Sequence, residues 1–153
     1  DCLLSRGLGD VYKRQHHIPY ELMLQDLGYT YETTYVAIRQ VFQKIDSTYS
    51  GKKKGVFLSN DTYANIFLNL LFQKYGKLPE DYQIVGFDNS PIANEAILPI
   101  TTIGQQIDKI AKTAMELLIL QMDEMKKRRP TPLEHPIHKQ ITPVLIRRET
   151  TDS

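Results

Sequence analysis

Residues 55–106 read GVFLSNDTYANIFLNLLFQKYGKLPEDYQIVGFDNSPIANEAILPITTIGQQ, and this stretch decides the fold. Two short apolar runs, residues 56–58 and 84–86, each end in a polar cluster. The segment between the runs has the length and apolar content of a helix and is closed by Gly76 and Pro79. Strand, helix and strand in this order predict a right-handed crossover and a parallel sheet. Ligands bind beyond the carboxyl ends of the strands in such sheets, where both polar clusters fall.

The composition limits the classes of protein to which the chain can belong. The chain has 153 residues, of which 41% are hydrophobic and 24% are charged, which is typical of one globular domain. A net charge of +1 predicts no strong attraction of the whole chain to nucleic acid or to a membrane surface. No apolar run approaches the roughly 20 residues that span a bilayer. The single cysteine, Cys2, cannot form an internal disulfide, which is compatible with a reducing cytosol. We expect a cytoplasmic protein without membrane contact.

The first residues do not fit this pattern. Residues 1–15 read DCLLSRGLGDVYKRQ, begin without Met and show neither helical nor strand periodicity. The run SRGLGDVYKRQ resembles translated linker sequence at the cut ends of environmental-DNA reading frames. We therefore expect residues 1–15 to be a non-native leader, with a genuine polar leader as the alternative. Residues 16–153 are then the tail of a longer protein.

Further elements are expected on both sides of the opening stretch. Residues 21–25 resemble a short strand, and Thr30 is a plausible N-cap for the amphipathic helix that follows. The apolar residues of this helix at helical spacing are Tyr35, Ile38, Phe42 and Ile45, with Val41 beside them. The apolar run at 56–58 predicts a strand buried on both faces.

The longest predicted helix follows the opening stretch. Its apolar face consists of Ile107, Ile110, Ala111, Ala114, Leu117, Leu118, Met122 and Met125. Basic residues 126–129 and Pro130 end this helix. Residues 141–147 form the last predicted strand, and Pro143 within it favours an edge position.

The polar residues at the strand ends indicate binding more than catalysis. They are Asn60, Asp61, Asp88, Asn89, Gln105 and Gln106. Amides offer a donor and an acceptor side by side, and carboxylates accept two hydrogen bonds, which suits a neutral polyhydroxylated ligand. Tyr29, also at a strand end, could pack on the apolar face of a sugar ring. A phosphate-binding glycine loop, a nucleophile with its base and a metal-ligand set are all absent from the sequence, so we expect no catalytic residue, metal or cofactor.

Simpler structural roles stay open for the same residues. Asn60 and Asp61 could cap the helix that follows them. Asp88 and Asn89 could form an Asx-turn. Gln105 could be an ordinary surface residue near a helix start.

Four motifs together resemble one family of bacterial regulators. They are SND at 59–61, LPEDYQIVGFDNSP at 78–91, LPITTIGQQI at 98–107 and PVLIRRETT at 143–151. In order and spacing they resemble the effector-binding domain of the LacI/GalR family of transcription regulators. The resemblance covers residues 18–151.

This resemblance implies a periplasmic-binding-protein-like (type I) fold of two α/β subdomains, with a sugar or similar effector in the cleft between them. The chain would supply the second, Rossmann-like subdomain with its parallel sheet, truncated at the N-terminus. By motif position, Asn60, Asp88 and Gln105 correspond to effector contacts and Tyr29 to an aromatic that lines the pocket. Asp61 corresponds to a structural, helix-capping residue. Gly104 stands where the family has a basic or polar residue.

The resemblance also implies partners and leaves two alternatives. The full-length protein would be a homodimer that binds operator DNA through an N-terminal domain absent from this chain, and the effector would act by allostery. One alternative is a sugar-binding protein of a transporter, which shares the fold. The other is a flavodoxin-like or Rossmann-like enzyme, which would need a nucleophile, a base or a cofactor loop.

Overall fold

The structure is a computed structural model that describes residue 19 and residues 21–23, 30–127 and 137–151. The chain divides into two compact units, residues 1–37 and 38–153. The helices and strands are α1 (Tyr31–Thr48), β1 (Lys54–Phe57), α2 (Asp61–Tyr75), β2 (Tyr82–Phe87), α3 (Ile92–Glu95), β3 (Thr101–Gly104), α4 (Ile107–Met125) and β4 (Val144–Ile146). The expected leader lies outside the described residues. The strand predicted at 21–25 is not found at residues 21–23, and its remainder lies outside the described residues as well.

Helix α1 begins in the first unit. The backbone amide of Thr33 donates to Thr30 Oγ1 at 3.3 Å, and the amide of Thr34 donates to the Thr30 carbonyl at 3.0 Å. Amides in the first turn of a helix have no partner within the helix, and a threonine N-cap supplies one. The predicted role of Thr30 is confirmed.

Within the second unit, α1 buries the apolar face that its periodicity predicts. Ile38, Phe42 and Ile45 are each less than 10% exposed. The ring of Phe42 meets the ring of Phe67 from α2 edge to face, with centroids 5.6 Å apart. Such aromatic pairs stabilise a core beyond the area that they bury.

The described strands form one mostly parallel sheet in the order β1-β2-β3-β4. Strands β1, β2 and β3 are parallel, and β4 pairs antiparallel with β3. This arrangement confirms the predicted α/β class. Strand β4 lies at an edge, as Pro143 predicts, but it begins after the proline, which has no N–H to donate to a neighbouring strand.

Strand β1 contradicts the prediction that it is buried on both faces. It lies at the other edge of the described sheet, with β2 as its neighbour. Lys54 is buried, whereas Gly55 is exposed and Phe57 is 60% exposed. An apolar run indicates that a strand prefers burial, but it does not predict how many neighbouring strands and helices will cover it.

The core lies between α2 and β2. Ala64, Phe67 and Leu68 of α2 and Ile84 of β2 are fully buried. Burying an apolar side chain of this size contributes about 1.5–3 kcal/mol. Gly76 ends α2 with φ 71°, and its N–H donates to the Phe72 carbonyl at 2.8 Å, as predicted.

The segment after β4 ties two strands together. Thr150, only 1% exposed, donates its hydroxyl to the Ile84 carbonyl at 2.7 Å and accepts from the Thr101 amide at 2.9 Å. The Ile84 amide donates to the Thr150 carbonyl at 3.1 Å. Thr150 therefore bridges β2 and β3.

Helix α4 has the predicted position but not the burial that its pattern predicts. It runs Ile107–Met125 with Lys126 at its C-cap, and none of its residues is buried. Ile107 is 64% exposed, Leu118 49% and Met125 73%. Within the described part of the chain, the apolar face of α4 is not covered. In that same part, no helix is both long enough and apolar enough to cross a membrane.

Candidate ligand-binding site

Three predicted ligand residues follow three neighbouring parallel strands. Asp88 comes directly after β2 and Gln105 directly after β3, while Asn60 follows β1 by three residues. Because the carboxyl ends of parallel strands meet at one edge, all three belong to the same edge of the sheet. This edge is the candidate site.

Asn60 is the N-cap of α2. Its backbone is extended, with φ −157° and ψ 168°, and its Oδ1 accepts from the Tyr63 amide at 2.8 Å. The capping alternative is therefore confirmed for Asn60. The cap uses the side-chain oxygen, and the Nδ2 donors stay chemically available for a ligand, so the predicted contact stays a prediction.

Asp61 does not cap the helix, which corrects the role that the resemblance implied. Its side chain is 1% exposed and lies in the first turn of α2. Oδ2 accepts from the Ser90 amide at 2.7 Å and from the Ser90 hydroxyl at 3.1 Å. Oδ1 accepts from the Thr102 hydroxyl at 2.6 Å. Asp61 thus connects α2 to the turn after β2 and to β3.

The turn at residues 88–90 has an unusual backbone. Asp88 has φ 99° and Asn89 has φ 54°, which are left-handed values. Residues other than glycine adopt them at a cost, and such positions cluster at functional sites. The Asx-turn alternative is not found, because the Ser90 amide donates to Asp61. Instead, Arg148 Nη2 donates to Asn89 Oδ1 at 2.7 Å.

Gln105 and Asp88 are in direct contact. Gln105 Nε2 donates to Asp88 Oδ1 at 2.6 Å, so two of the predicted ligand residues hydrogen-bond each other. Gln105 is half-buried rather than an ordinary exposed residue. Gly104 precedes it, and a Cβ there would lie 3.0 Å from Ile146 Cδ1. A larger residue at this position would therefore need the end of the Ile146 side chain to move.

The candidate site contains residues that the sequence analysis did not single out. Ser90, Thr102 and Arg148 each hold the turn after β2 through contacts to Asp61 or Asn89. All three residues lie within the quoted motifs, which was the available signal. Arg148 is 59 residues from Asn89, and no local pattern predicts their contact.

Tyr29 lies outside the described residues, so its place at the site stays a prediction. No group of three His, Cys, Asp or Glu side chains that could hold a metal ion is found in the described ranges.

An open groove of about 500 Å³ is lined by Gln106, Lys109, Lys112, Thr113, Glu116, Gln140, Ile141 and Thr142. Of the predicted ligand residues that the structure describes, Asn60, Asp88 and Gln105 do not line this groove, although the neighbouring strand-end residue Gln106 does.

A second polar cluster lies at the opposite end of β2. Asp46, whose side chain is 13% exposed, accepts from Lys74 Nζ, from the Tyr75 hydroxyl at 2.6 Å and from the Tyr82 hydroxyl at 2.9 Å. Burial alone would raise the pKa of Asp46, but these hydrogen bonds and the Lys74 charge outweigh it and hold the pKa below its ordinary value. Burial and the Asp46 carboxylate raise the pKa of Tyr82. We name these four residues the Asp46 cluster, and it stabilises the fold away from the candidate site.

A family model, the periplasmic binding protein-like domain, matches residues 6–151. The match covers nearly the whole chain. It begins within residues 1–15, and the interpretation of those residues as a leader stays a prediction.

Two curated relatives are repressors. The chain is 33% identical over 81 residues to the HTH-type transcriptional repressor PurR of Vibrio cholerae serotype O1 (strain M66-2), covering 53% of this chain and 24% of the relative. It is 32% identical over 97 residues to the ribose operon repressor of Halalkalibacterium halodurans, covering 63% of this chain and 27% of the relative. The chain thus spans about a quarter of the length of the curated relatives that it matches.

A solved structure shares the fold. It is a LacI family transcriptional regulator from Enterococcus faecium with bound ribose, with a TM-score of 0.65 and 24% identity, covering 93% of this chain and 48% of that one. The family match and the repressor relatives, together with this shared fold, confirm the resemblance to LacI/GalR effector-binding domains.

Proposed function

This chain belongs to the periplasmic binding protein-like domain family, and we propose on that premise that it forms one wall of the effector site of a sugar-responsive transcriptional repressor. The observation that carries the proposal is the pairing of Asp88 with Gln105 at 2.6 Å, on the sheet edge that also holds Asn60. Each of these residues has the position that the family resemblance implies for an effector contact.

The chemistry of this edge favours a neutral, polyhydroxylated ligand. A carboxylate accepts hydrogen bonds from two hydroxyls, and the amides of Gln105 and Asn60 can donate to one hydroxyl and accept from another. Hydrogen bonds to a charged group contribute about 1.5–3 kcal/mol each. The Asp88 carboxylate disfavours anionic ligands by repulsion. One relative is a ribose operon repressor and a structural neighbour holds ribose, so ribose is the first candidate.

In the whole protein, the effector would act by shifting an equilibrium between two states. A ligand changes such an equilibrium only by binding one state better than the other. We propose that this shift changes the spacing of paired DNA-reading domains in a homodimer, and that spacing sets operator affinity. Operator DNA would be bound outside this chain, in the cytoplasm, and no cofactor or metal would be needed.

The alternatives receive less support. The relatives are repressors rather than components of transporters, so a transporter's sugar-binding protein is not favoured. We propose binding and not catalysis, because the predicted ligand contacts among the described residues are one carboxylate and two amides, which suit hydrogen bonding to hydroxyls.

The test is a titration of the ¹⁵N-labelled chain with D-ribose, followed by NMR. We expect shifts at the amides of Asn60, Asp88 and Gln105, with a dissociation constant of about 1 mM, equivalent to roughly −4 kcal/mol. D-ribonate, the matched anionic sugar acid, should cause no such shifts. Asp88→Ala should abolish the ribose shifts, whereas Glu95→Ala removes an exposed carboxylate and should preserve them.

Two results would contradict the proposal. The first is the absence of shifts at these amides with a panel of neutral sugars at tens of millimolar. The second is nanomolar binding of an operator by this chain, since we place DNA recognition elsewhere in the protein.

A further inference from the structure

We infer that Asp61 is a positioning residue of the candidate site, and that it holds the turn at residues 88–90 so that Asp88 faces Gln105. The structural part of this inference concerns the turn itself. Its consequence for ligand affinity rests on the proposed function.

The Asp61 carboxylate is fully engaged by the turn and by β3. It is 1% exposed, and a buried charge is retained only where hydrogen bonds replace water. The amide and the hydroxyl of Ser90 and the hydroxyl of Thr102 donate to it at 2.6–3.1 Å. Its partners are 29 and 41 residues away in the chain, so these bonds join separate elements.

Through Thr102, Asp61 also supports a second residue of the turn, Asn89. Its hydroxyl has one proton, which it donates to Asp61 Oδ1. The oxygen lone pairs are then free to accept from the Asn89 amide, which lies 3.3 Å away. Asp61 therefore fixes the two amides that follow Asp88, that of Ser90 directly and that of Asn89 through Thr102.

The turn needs such support because its backbone is strained. Left-handed values at Asp88 and Asn89 persist only where surrounding contacts hold them. If the amides of Asn89 and Ser90 were released, the turn could relax toward negative φ. That change would rotate the Asp88 carboxylate away from Gln105, so the geometry of the ligand residues depends on Asp61.

Strand β2 leaves room for the Asp61 carboxylate at Gly86. A Cβ on Gly86 would lie 2.3 Å from Asp61 Oδ1 and 3.3 Å from Asp61 Cα. Glycine is therefore required at residue 86 for Asp61 to reach Thr102. The Asp61 contacts are thus supported by α2, β2 and β3 together.

The experiment measures amide hydrogen exchange in the whole 153-residue chain. Asp61→Asn leaves one acceptor oxygen in place of two, so either Ser90 or the Thr102 hydroxyl has no acceptor at residue 61. We expect the amides of Asn89 and Ser90 to exchange about tenfold faster, while the core amides of Leu68 and Ile84 keep their rates. The coupling between HN and Hα of Asp88, which reports φ, should change with them.

Two matched substitutions at residue 102 test the inference if the Asp61→Asn variant fails to fold. Thr102→Val keeps the shape and removes the hydroxyl, so the Asn89 amide should exchange about tenfold faster. Thr102→Ser retains the hydroxyl and should restore the slow rate. If Asp61→Asn and Thr102→Val lower stability but leave exchange at Asn89 and Ser90 unchanged relative to the core, Asp61 has only a structural role and the inference fails.

A ribose titration of the same variants separates the two proposals. Weaker ribose binding in Asp61→Asn and Thr102→Val, but not in Thr102→Ser, supports both. Faster exchange in a chain whose wild type binds no neutral sugar supports the positioning of the turn and contradicts the proposed function. Ribose affinity that is unchanged while the turn amides exchange faster contradicts the role of Asp61 in ligand binding.

Discussion

Asp88 carries the clearest sign of function at the scale of single residues. Its amide donates to the Ile103 carbonyl at 2.9 Å, so the backbone follows β3 up to this position and then turns with φ 99°. A glycine would adopt this φ without strain. An aspartate here costs stability, and it places a carboxylate in contact with Gln105. In the function that we propose, the same carboxylate would also accept hydrogen bonds from the ligand.

A pair of variants isolates this strain. Asp88→Gly and Asp88→Ala both remove the carboxylate, but only glycine relieves a backbone with φ 99°. We expect Asp88→Gly to have the higher free energy of unfolding by about 0.5–1 kcal/mol, although glycine usually loses more chain entropy on folding. Urea denaturation measures the difference. Equal stability of the two variants would show that the turn carries no strain at residue 88.

The sequence predicts residue roles well where the partners are local. The caps at Thr30 and Gly76 depend on atoms three or four residues away, and both were predictable. Asn60 and Asp61 were both plausible caps, and their different roles follow from partners that only the fold brings together. The Asp61 and Arg148 contacts bridge 29 to 59 residues, and no spacing rule predicts them.

At the scale of elements, α2 and α4 show what periodicity can predict. Both have an apolar face at helical spacing, and both are helices at the expected positions. Helix α2 buries Phe67 and Leu68 completely, whereas α4 buries none of its residues. Periodicity identifies the face of a helix that prefers burial, but whether another element covers that face depends on the tertiary structure.

Matched leucine substitutions test this difference. Leu68→Ala removes a side chain that is 0% exposed and should lower the free energy of unfolding by about 2–5 kcal/mol. Leu118→Ala removes one that is 49% exposed and should change it by less than about 0.5 kcal/mol. Thermal or urea unfolding of both variants gives the comparison. Similar losses at the two positions would mean that α4 is covered in solution.

At the scale of the whole molecule, the candidate site and the Asp46 cluster lie at opposite ends of β2. The candidate site follows its last residue, Phe87, and the Asp46 cluster involves its first residue, Tyr82. The alternation of strands and helices was enough to predict this architecture, and it also points to the edge where we place the candidate site. The Asp46 cluster was not predicted, because its members are 28 to 36 residues from Asp46.

Unfolding at acidic pH should reveal how much the Asp46 cluster contributes to the free energy of unfolding. The folded-state pKa of Asp46 lies below its ordinary value of about 3.9, so the ionised form stabilises the fold above that pH. This stabilisation is lost as the pH falls through the lowered pKa. Asp46→Asn should therefore cost roughly 1–2 kcal/mol near neutral pH and progressively less below about pH 4.

Urea unfolding of wild type and Asp46→Asn over this pH range measures the effect. Asp108→Asn is the control, since Asp108 is exposed in the first turn of α4. A difference between wild type and Asp46→Asn that grows as the pH falls would contradict the assigned direction of the pKa shift.

The bridge made by Thr150 has a consequence for the order of assembly during protein synthesis. Ile84 and Thr101 are made well before Thr150, and Arg148 is made 59 residues after the Asn89 that it holds. Contacts between residues so far apart in the chain form late, because a long loop must close first. A chain still on the ribosome can therefore fold α2 against β2, but the candidate site is complete only after residue 150 has emerged. In the function that we propose, sensing would then be confined to finished chains. A nascent chain interrupted before residue 148 would have the core but not the Arg148 contact that holds the turn at residues 88–90.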